Sequence, residues 1–344
     1  MVLDIKLKRL AEEVLETSIN DASIVGGGRN SRVYQLETSH GPFVLKHYHG
    51  TQRLDVEFAA FKSLREAGLT TVPEVIYADR GNSFAIYECI QGEPVTQFNI
   101  VDRDITDCIK LIRDLNRVSR SNDSTESGDA AEAFFCLSDI EKNINDRLNR
   151  LEGRERNTGR DIELDQFLSD EFKPGLHVIC ERAHKIYDSL GLSVEQVIPI
   201  SSRVLSPSDF GFHNSLRTEK GMSFFDFEYF GWDDPAKLIS DFLLHPGMDI
   251  SSGKREQFGA GVIKVMNDPL LSRRLEALLP VFGLKWCMIL LNEFLNTDLA
   301  RREFAGVVGE RDELLHRQLD KARAMLAQAL AYSDTGITFN LNEG

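Results

Sequence analysis

Three oxygen-bearing side chains lie close together in the second half of the sequence. Asp209 is followed five residues later by Asn214, and Asp226 lies in the aromatic run Phe224–Glu228. Carboxylate and amide oxygens are the ligands that a hard cation such as Mg²⁺ prefers. A carboxylate on a neighbouring loop can orient a hydroxyl group and accept its proton. These residue types therefore suit a metal-dependent reaction at a hydroxyl group.

The segment between Asn214 and Asp226 predicts a β-hairpin with its turn near Glu219–Gly221. A turn centred on Lys220 places Asn214 opposite Asp226. A turn centred half a residue earlier places His213 opposite Asp226, with Asn214 diagonally across. Directly opposed Cβ atoms are roughly 5 Å apart. The hairpin therefore predicts that Asn214 and Asp226 share one cation.

The surroundings of Asp226 add to this expectation. Strand interiors disfavour Asp, and an unpaired buried charge is costly. We therefore predict a metal-binding strand over 224–228, preceded by a catalytic loop over 205–214. Taken alone, the Asp209 to Asn214 spacing is equally typical of an ordinary polar turn, so the other half of the site must come from the first part of the chain.

Together these residues resemble the catalytic loop and metal segment of the aminoglycoside phosphotransferase and choline kinase family. That family's loop reads His-Gly-Asp-x-x-x-x-Asn and is followed by Ile-Asp-x-Glu. Asp209 and Asn214 match the first motif, and Asp226 and Glu228 match the second. The run from Asp226 to Pro235 is most similar to the choline-kinase-like branch.

The sequence departs from the family's pattern at positions that support the loop. The family's His falls on Pro207 and its Gly on Ser208. A family Asp on the following helix falls on Leu238, and Asp241 lies one turn later on the same helical face. These replacements leave open a second interpretation, a nucleotide-binding pseudokinase or scaffold that does not turn over an acceptor.

A glycine-rich turn lies between two predicted strands near the start of the chain. Gly26, Gly27 and Gly28 end the first strand, and Asn30 and Ser31 lead into the second. Glycines let backbone amides approach a phosphate closely, although a plain hairpin turn fits the same residues. The P-loop pattern G-x-x-x-x-G-K-[ST] does not occur. The resemblance implies that Gly27, Gly28, Asn30 and Ser31 contact a nucleotide.

Lys46 and Glu57 are candidates for a buried ion pair. Lys46 lies in the predicted strand Phe43–Tyr48, and a helix from about Asp55 to Ala67 places Glu57 on the same face as Phe61. Separately, they also fit a solvated edge-strand lysine and a first-turn acid. In a kinase the strand lysine holds the α- and β-phosphates and pairs with a helix glutamate. The resemblance implies those roles here.

Two more predicted strands, Val72–Ala78 and Ser83–Glu88, precede a segment that resembles the family's hinge. There, backbone groups of Glu88 and Ile90 would bind adenine, although a simple loop at the end of a strand fits equally well. From about Asp102 the apolar pattern becomes helical.

We therefore predict an α+β, bilobal, protein-kinase-like fold. Residues 1–90 form a small antiparallel-sheet lobe with one key helix, and an amphipathic helix over 4–17 packs on this lobe. Residues 91–344 form a larger, mostly helical lobe. Further helices are expected over 137–152, 161–171, 175–190, 254–268 and 270–278, then from Phe282 to Leu295 and from Arg301 to Tyr332.

Composition sets limits on function. The chain has 344 residues, is 42% hydrophobic and carries a formal net charge of −14, which argues against nucleic acid as a partner. The five cysteines have no metal-site spacing and predict reduced thiols in a cytoplasmic protein. No signal peptide is visible, and the apolar run Trp286–Leu291 is far too short to span a membrane.

The resemblance implies an ATP-dependent kinase that phosphorylates a hydroxyl of a small metabolite, such as a sugar, an amino alcohol or an aminoglycoside-like compound. Lys46 would hold the nucleotide phosphates and Glu57 would position Lys46. Asn214 and Asp226 would hold Mg²⁺, and Asp209 would orient the hydroxyl and accept its proton. A weaker alternative is nucleotidyl transfer to a protein.

Overall fold

The computed structural model describes residues 3–27, 30–120, 127–156, 159–295, 311–337 and 339. The strands are β1 (Ile19–Gly27), β2 (Ser31–Thr38), β3 (Gly41–Tyr48), β4 (Val75–Asp79), β5 (Phe84–Glu88), β6 (Glu93–Pro94), β7 (Val204–Ser206), β8 (Ser215–Thr218), β9 (Gly221–Phe224) and β10 (Gly231–Asp233). The helices are α1 (Ile5–Leu15), α2 (Thr51–Glu66), α3 (Asp102–Ser119), α4 (Leu137–Glu152), α5 (Asp161–Gln166), α6 (Lys173–Ser189), α7 (Pro235–Leu244), α8 (Ser252–Met266), α9 (Leu271–Leu290) and α10 (Arg311–Thr335).

The first lobe is a five-stranded antiparallel sheet in the order β1-β2-β3-β5-β4. The predicted α+β, kinase-like architecture is confirmed. Alternation along the strands gives the sheet two buried faces. On one face α1 packs through Leu7 and Ala11 against Leu45, and on the other α2 packs through Phe61. Asp4 caps α1 by accepting hydrogen bonds from the backbone of its first turn.

Two predicted boundaries in this lobe differ from the structure. The strand expected from Val72 begins only at Val75, after Pro73, which has no N–H to donate to a sheet. The helix expected from about Asp55 already begins at Thr51. The added turn of α2 places Arg53 beside the site described below.

The second lobe is built around α9, which packs against α4, α6, α7 and α10. Separate helices over 270–278 and from Phe282 were predicted, but α9 continues through Pro280. Among the described residues, the segment Leu271–Phe294 is the one helical segment both long and apolar enough to cross a membrane, and 78% of its most apolar window is buried inside the protein. Residues 301–310 of the last predicted helix lie outside the described residues.

The predicted hairpin is formed by β8 and β9. Ser215 pairs with Phe224 and Thr218 with Gly221, so the turn is centred half a residue before Lys220. The predicted strand over 224–228 is wrong beyond its first residue, because β9 ends at Phe224 and Asp226 has a left-handed φ of 65°. Asp is one of the few residues that tolerate this conformation.

The hinge is attached to this hairpin. The predicted boundary at residue 90 falls between β5 and β6, and β6 then pairs with β8 through Glu93 and Arg217. Gly92 lies so close to β8 that a Cβ there would be 2.7 Å from the Arg217 carbonyl oxygen. The chain therefore passes directly from the small sheet onto the hairpin that precedes Asp226.

Candidate active site

Lys46 lies where the two lobes meet and contacts three carboxylates. Its Nζ is 2.7 Å from Glu57 Oε2 on α2, 2.5 Å from Asp226 Oδ1 and 3.5 Å from Glu228 Oε2. Burial opposes the charge on Lys46, but Asp226, Glu57 and Glu228 hold its pKa well above the usual value. The ammonium is therefore charged at neutral pH.

Two tyrosines that sequence reasoning missed hold Glu57 in place. The Tyr48 hydroxyl donates to Glu57 Oε2 at 2.6 Å, and it lies 2.8 Å from the Tyr87 hydroxyl. The backbone N–H of Phe227 donates to Glu57 Oε1 at 3.1 Å. Tyr48 shares a strand face with Lys46 by period-two alternation, which was the available signal. The Glu57 side chain therefore links α2, on which it lies, to the sheet and to the segment after Asp226.

Glu228 connects the glycine-rich turn to the same cluster. Asn30 Nδ2 donates to Glu228 Oε1 at 2.9 Å and to the Tyr229 hydroxyl at 2.8 Å. Arg53 also donates to Glu228 Oε1, at 3.2 Å, and its guanidinium stacks over the Tyr229 ring. Gly27 ends β1, whereas Gly28 lies outside the described residues. The structure therefore brings Asn30 to the carboxylate cluster.

Asp209 lies on the loop before the hairpin. His213 Nε2 is 3.1 Å from Asp209 Oδ1, and Asn214 Nδ2 donates to the Asp209 backbone oxygen at 3.0 Å. Burial favours the protonated carboxyl, but the hydrogen bond and charge of His213 and the charge of Lys237 lower the pKa of Asp209 below its usual value. Asp209 is therefore an ionised carboxylate at neutral pH, with 41% of its side chain exposed.

A buried lysine supports this loop in place of the family residues that are replaced. Lys237 Nζ donates to Ser208 Oγ at 3.1 Å and to Asp233 Oδ2 at 2.7 Å, and it lies 3.1 Å from Asp241 Oδ2. Ser208 has a left-handed φ of 65°, a conformation that favours Gly, and its hydroxyl donates to the Ala131 carbonyl. These contacts fix the backbone immediately before Asp209.

The charge of Lys237 should be important for stability. We expect Lys237→Met to lower the free energy of unfolding by about 3–5 kcal/mol, because it leaves the buried carboxyls of Asp233 and Asp241 without their cation. Burial already raises the pKa of Asp233 to about 6 against the opposing effect of Lys237. Urea denaturation measures the change.

The matched control is Lys220→Met in the exposed hairpin turn, which should change stability by at most about 0.5 kcal/mol. Equal stability of the Lys237 and Lys220 variants would contradict the assigned role.

A cleft of about 590 Å³ lies between the lobes. Its size is that of a typical small-molecule site, roughly 300–1,000 Å³. Apolar side chains form much of its wall, and both lobes contribute polar groups. The predicted site residues that line it are Ser31, Lys46, Glu57, Glu88, Ile90, Asn214 and Asp226.

The donor set beside the cleft fits a hard divalent cation. One carboxylate oxygen each from Glu57, Asp226 and Glu228 lies within 4.8 Å of the others. Glu228 Oε2 is buried and makes no hydrogen bond with the described residues, and the Lys46 ammonium, 3.5 Å away, is the cation that balances it. Carboxylate oxygens are also the ligands that a hard divalent cation prefers. Asn214, which lines the same cleft, offers an amide oxygen from the other side of the hairpin.

A strand lysine that pairs with a helix glutamate and contacts Asp226, beside a cleft and near an Asp–Asn loop, defines a kinase-like phosphotransferase site. The model of the APH family, described as the phosphotransferase enzyme family, matches residues 21–243. The chain belongs to this family and is a phosphotransferase acting on hydroxyl groups. Comparison with curated proteins gives no sequence match.

Solved structures share the fold across nearly the whole chain. A streptomycin–ATP–APH(2″)-IIa ternary complex is 17% identical, with a TM-score of 0.60 over 97% of this chain and 99% of that one. A choline/ethanolamine kinase family protein from Mesorhizobium loti is 16% identical, with a TM-score of 0.56 over 92% and 93%. Choline kinase from Cryptosporidium parvum is 11% identical, with a TM-score of 0.52 over 92% of each chain.

Proposed function

We propose that this protein uses ATP to phosphorylate a hydroxyl group of a small metabolite, such as a sugar, an amino alcohol or an aminoglycoside-like compound. The contact of Lys46 with both Glu57 and Asp226 carries this proposal. It joins the phosphate-binding lysine of one lobe to the metal-binding carboxylate of the other. One similar structure holds ATP together with streptomycin, which agrees with a two-substrate cleft.

Lys46 binds the α- and β-phosphates, and Glu57 keeps its ammonium aimed at them. The adenine ring would contact the apolar wall of the cleft near Glu88 and Ile90. Asn214 and Asp226 would hold Mg²⁺, whose positive charge would offset the negative charge of the transferring phosphoryl group.

Asp209 orients the acceptor. Its carboxylate accepts a hydrogen bond from the acceptor hydroxyl, whose oxygen forms the new bond to the γ-phosphorus. The bond from that phosphorus to the leaving ADP oxygen breaks, and the hydroxyl proton passes to Asp209 late in the reaction. Positioning supplies most of the rate enhancement, because the fixed groups need little rearrangement during transfer.

The second interpretation, a nucleotide-binding pseudokinase, was motivated by Pro207 and Leu238. The observed contacts favour the enzyme instead. Ser208 adopts a left-handed backbone conformation that Gly adopts readily, and Lys237 anchors the loop through the Ser208 hydroxyl. Asp209 therefore keeps a fixed position despite both replacements.

A kinase screen separates these functions. Purified protein is incubated with Mg²⁺ and ATP or GTP and a panel of sugars, choline, ethanolamine and aminoglycosides, and nucleoside diphosphate release is measured. We expect release above the water-only background with at least one hydroxyl compound, together with nucleotide binding by calorimetry. Binding without any turnover would support the pseudokinase, and AMP addition seen by intact-mass analysis would support nucleotidyl transfer.

A further inference from the structure

His245, at the end of α7, has a hydrogen bond that fixes which ring nitrogen carries its proton. The backbone N–H of Gly247 donates to His245 Nδ1 at 3.1 Å. A backbone amide can only donate, so Nδ1 is the unprotonated nitrogen. A neutral imidazole carries one proton, which must then be on Nε2. His245 therefore presents an N–H donor at its far end.

The ring is held in place by its neighbours. It stacks on His213 with centroids 4.0 Å apart and planes 6° apart, and it meets Trp286 edge to face at 5.2 Å. Trp286 is itself fixed, because its Nε1 donates to Asp241 Oδ1 at 2.9 Å. Burial, followed by the neighbouring charge of His213, lowers the pKa of His245 to about 4, although Asp209 and Asp241 act in the opposite direction. His245 is thus neutral at pH 7.

The Nε2–H group faces Asp209 without bonding to it. The distance from His245 Nε2 to Asp209 Oδ1 is 3.8 Å, which is too long for a hydrogen bond, and His213 Nε2 already lies 3.1 Å from that oxygen. Within the described ranges of the chain, no acceptor lies within hydrogen-bond distance of His245 Nε2, and 18% of the side chain is exposed. A directed donor and a carboxylate therefore stand side by side at the catalytic loop.

We propose that His245 binds the acceptor hydroxyl together with Asp209. The His245 Nε2–H donates to the hydroxyl oxygen while Asp209 accepts the hydroxyl proton. One lone pair of the hydroxyl oxygen then accepts from His245, and the hydroxyl proton is bound by Asp209. The second lone pair of that oxygen is therefore directed at the γ-phosphorus. This inference rests on the proposed kinase function and adds a catalytic residue to it.

A metal site is the competing interpretation, because one ligand atom each from Asp209, His213 and His245 lies within 4.8 Å of the others. The Gly247 contact argues against it. A histidine that binds a metal through Nε2 normally donates a proton from Nδ1, whereas here Nδ1 accepts one. In addition, the planes of the stacked rings are nearly parallel, so their in-plane lone pairs do not converge on one point.

Two substitutions separate the donor from its structural role. His245→Asn retains an amide oxygen near the Nδ1 position to accept from Gly247, but it lacks the distal donor. His245→Gln extends an amide N–H towards the Nε2 position. For an acceptor found in the hydroxyl panel, we expect His245→Asn to lower kcat/KM roughly 10- to 100-fold while the KM for MgATP is unchanged. His245→Gln should recover much of this loss.

The matched control is His177→Asn, because His177 is 73% exposed and pairs with Glu181 on α6, away from the catalytic loop. It should behave like the wild type. Turnover by His245→Asn at the wild-type rate, or equal losses in the Asn and Gln variants, would overturn the inference and leave the proposed function standing. A wild-type protein that phosphorylates no hydroxyl overturns both.

A second measurement needs no acceptor. Long-range ¹H–¹⁵N spectra of the protein labelled at histidine, with the His245→Asn variant for assignment, should show the neutral Nε2–H tautomer of His245 at pH 7. An Nδ1–H tautomer would overturn the inference. Calorimetric binding of Zn²⁺ that disappears in His245→Asn would overturn it in favour of the metal site.

Discussion

Asp209→Asn is expected to lower kcat for acceptor phosphorylation by at least about 10²-fold while nucleotide affinity stays at the wild-type level. The amide is isosteric but cannot take up the hydroxyl proton. Asp209 makes no contact with Lys46 or its carboxylate partners among the described residues, so the phosphate-binding end of the cleft is unaffected. Steady-state kinetics with the acceptor and calorimetry with ADP and Mg²⁺ measure the two quantities.

The charge-matched control is Asp188→Asn, at an exposed position near the end of α6. It should leave kcat unchanged. A wild-type kcat in Asp209→Asn would remove Asp209 from the reaction, and a parallel loss of nucleotide binding would show that the substitution disturbs the cleft as a whole.

Asp226→Asn should abolish the Mg²⁺ dependence of nucleotide binding. The substitution removes the charged oxygen that faces the cleft, and an amide is a much weaker ligand for a hard cation. The fold should survive, because Asn tolerates the left-handed backbone at this position and Glu57 remains paired with Lys46. Calorimetry with ADP, in Mg²⁺ and in EDTA, measures the effect.

For the wild-type protein, we expect EDTA to weaken nucleotide binding. For the variant, affinity with and without Mg²⁺ should be similar and low. Glu57→Gln tests Lys46 positioning separately: it should weaken nucleotide binding under both conditions, since Glu57 orients the ammonium. Retention of full Mg²⁺ dependence in Asp226→Asn would place the metal on other ligands.

The fold could be predicted because several separate signals occur in the right order. The Gly-rich turn, Lys46, Glu57 and the Asp209–Asn214 loop each have an ordinary alternative explanation, but all of them together suit one architecture. Local patterns identified most of the strands and amphipathic helices, although they misplaced several boundaries. They failed at Asp226, whose left-handed backbone accompanies a contact with Lys46 from the other lobe, and no local pattern encodes such a contact.

The environment of Asp209 was the part that sequence could not supply. His245 and Trp286 belong to different helical segments and meet only because α7 packs on α9. No motif marks Lys237 in the sequence, whereas in the structure it donates to both Asp233 and Ser208. Spacing rules describe neighbours on one element, such as Lys237 and Asp241 on α7. The contacts of Lys237 with Ser208 and of His245 with Trp286 depend instead on how elements pack.

The pairing of β6 with β8 has a mechanical consequence. The chain leaves the small sheet at Glu88 and joins the hairpin at Glu93, so the short segment from Cys89 to Gly92 links the two. A rocking motion of the small lobe would pivot there. The base of a nucleotide would then lie close to this pivot, whereas Lys46 is further from it and would move over a larger distance. Closing the lobes would therefore shift the groups that bind the phosphates more than the groups that contact the adenine ring.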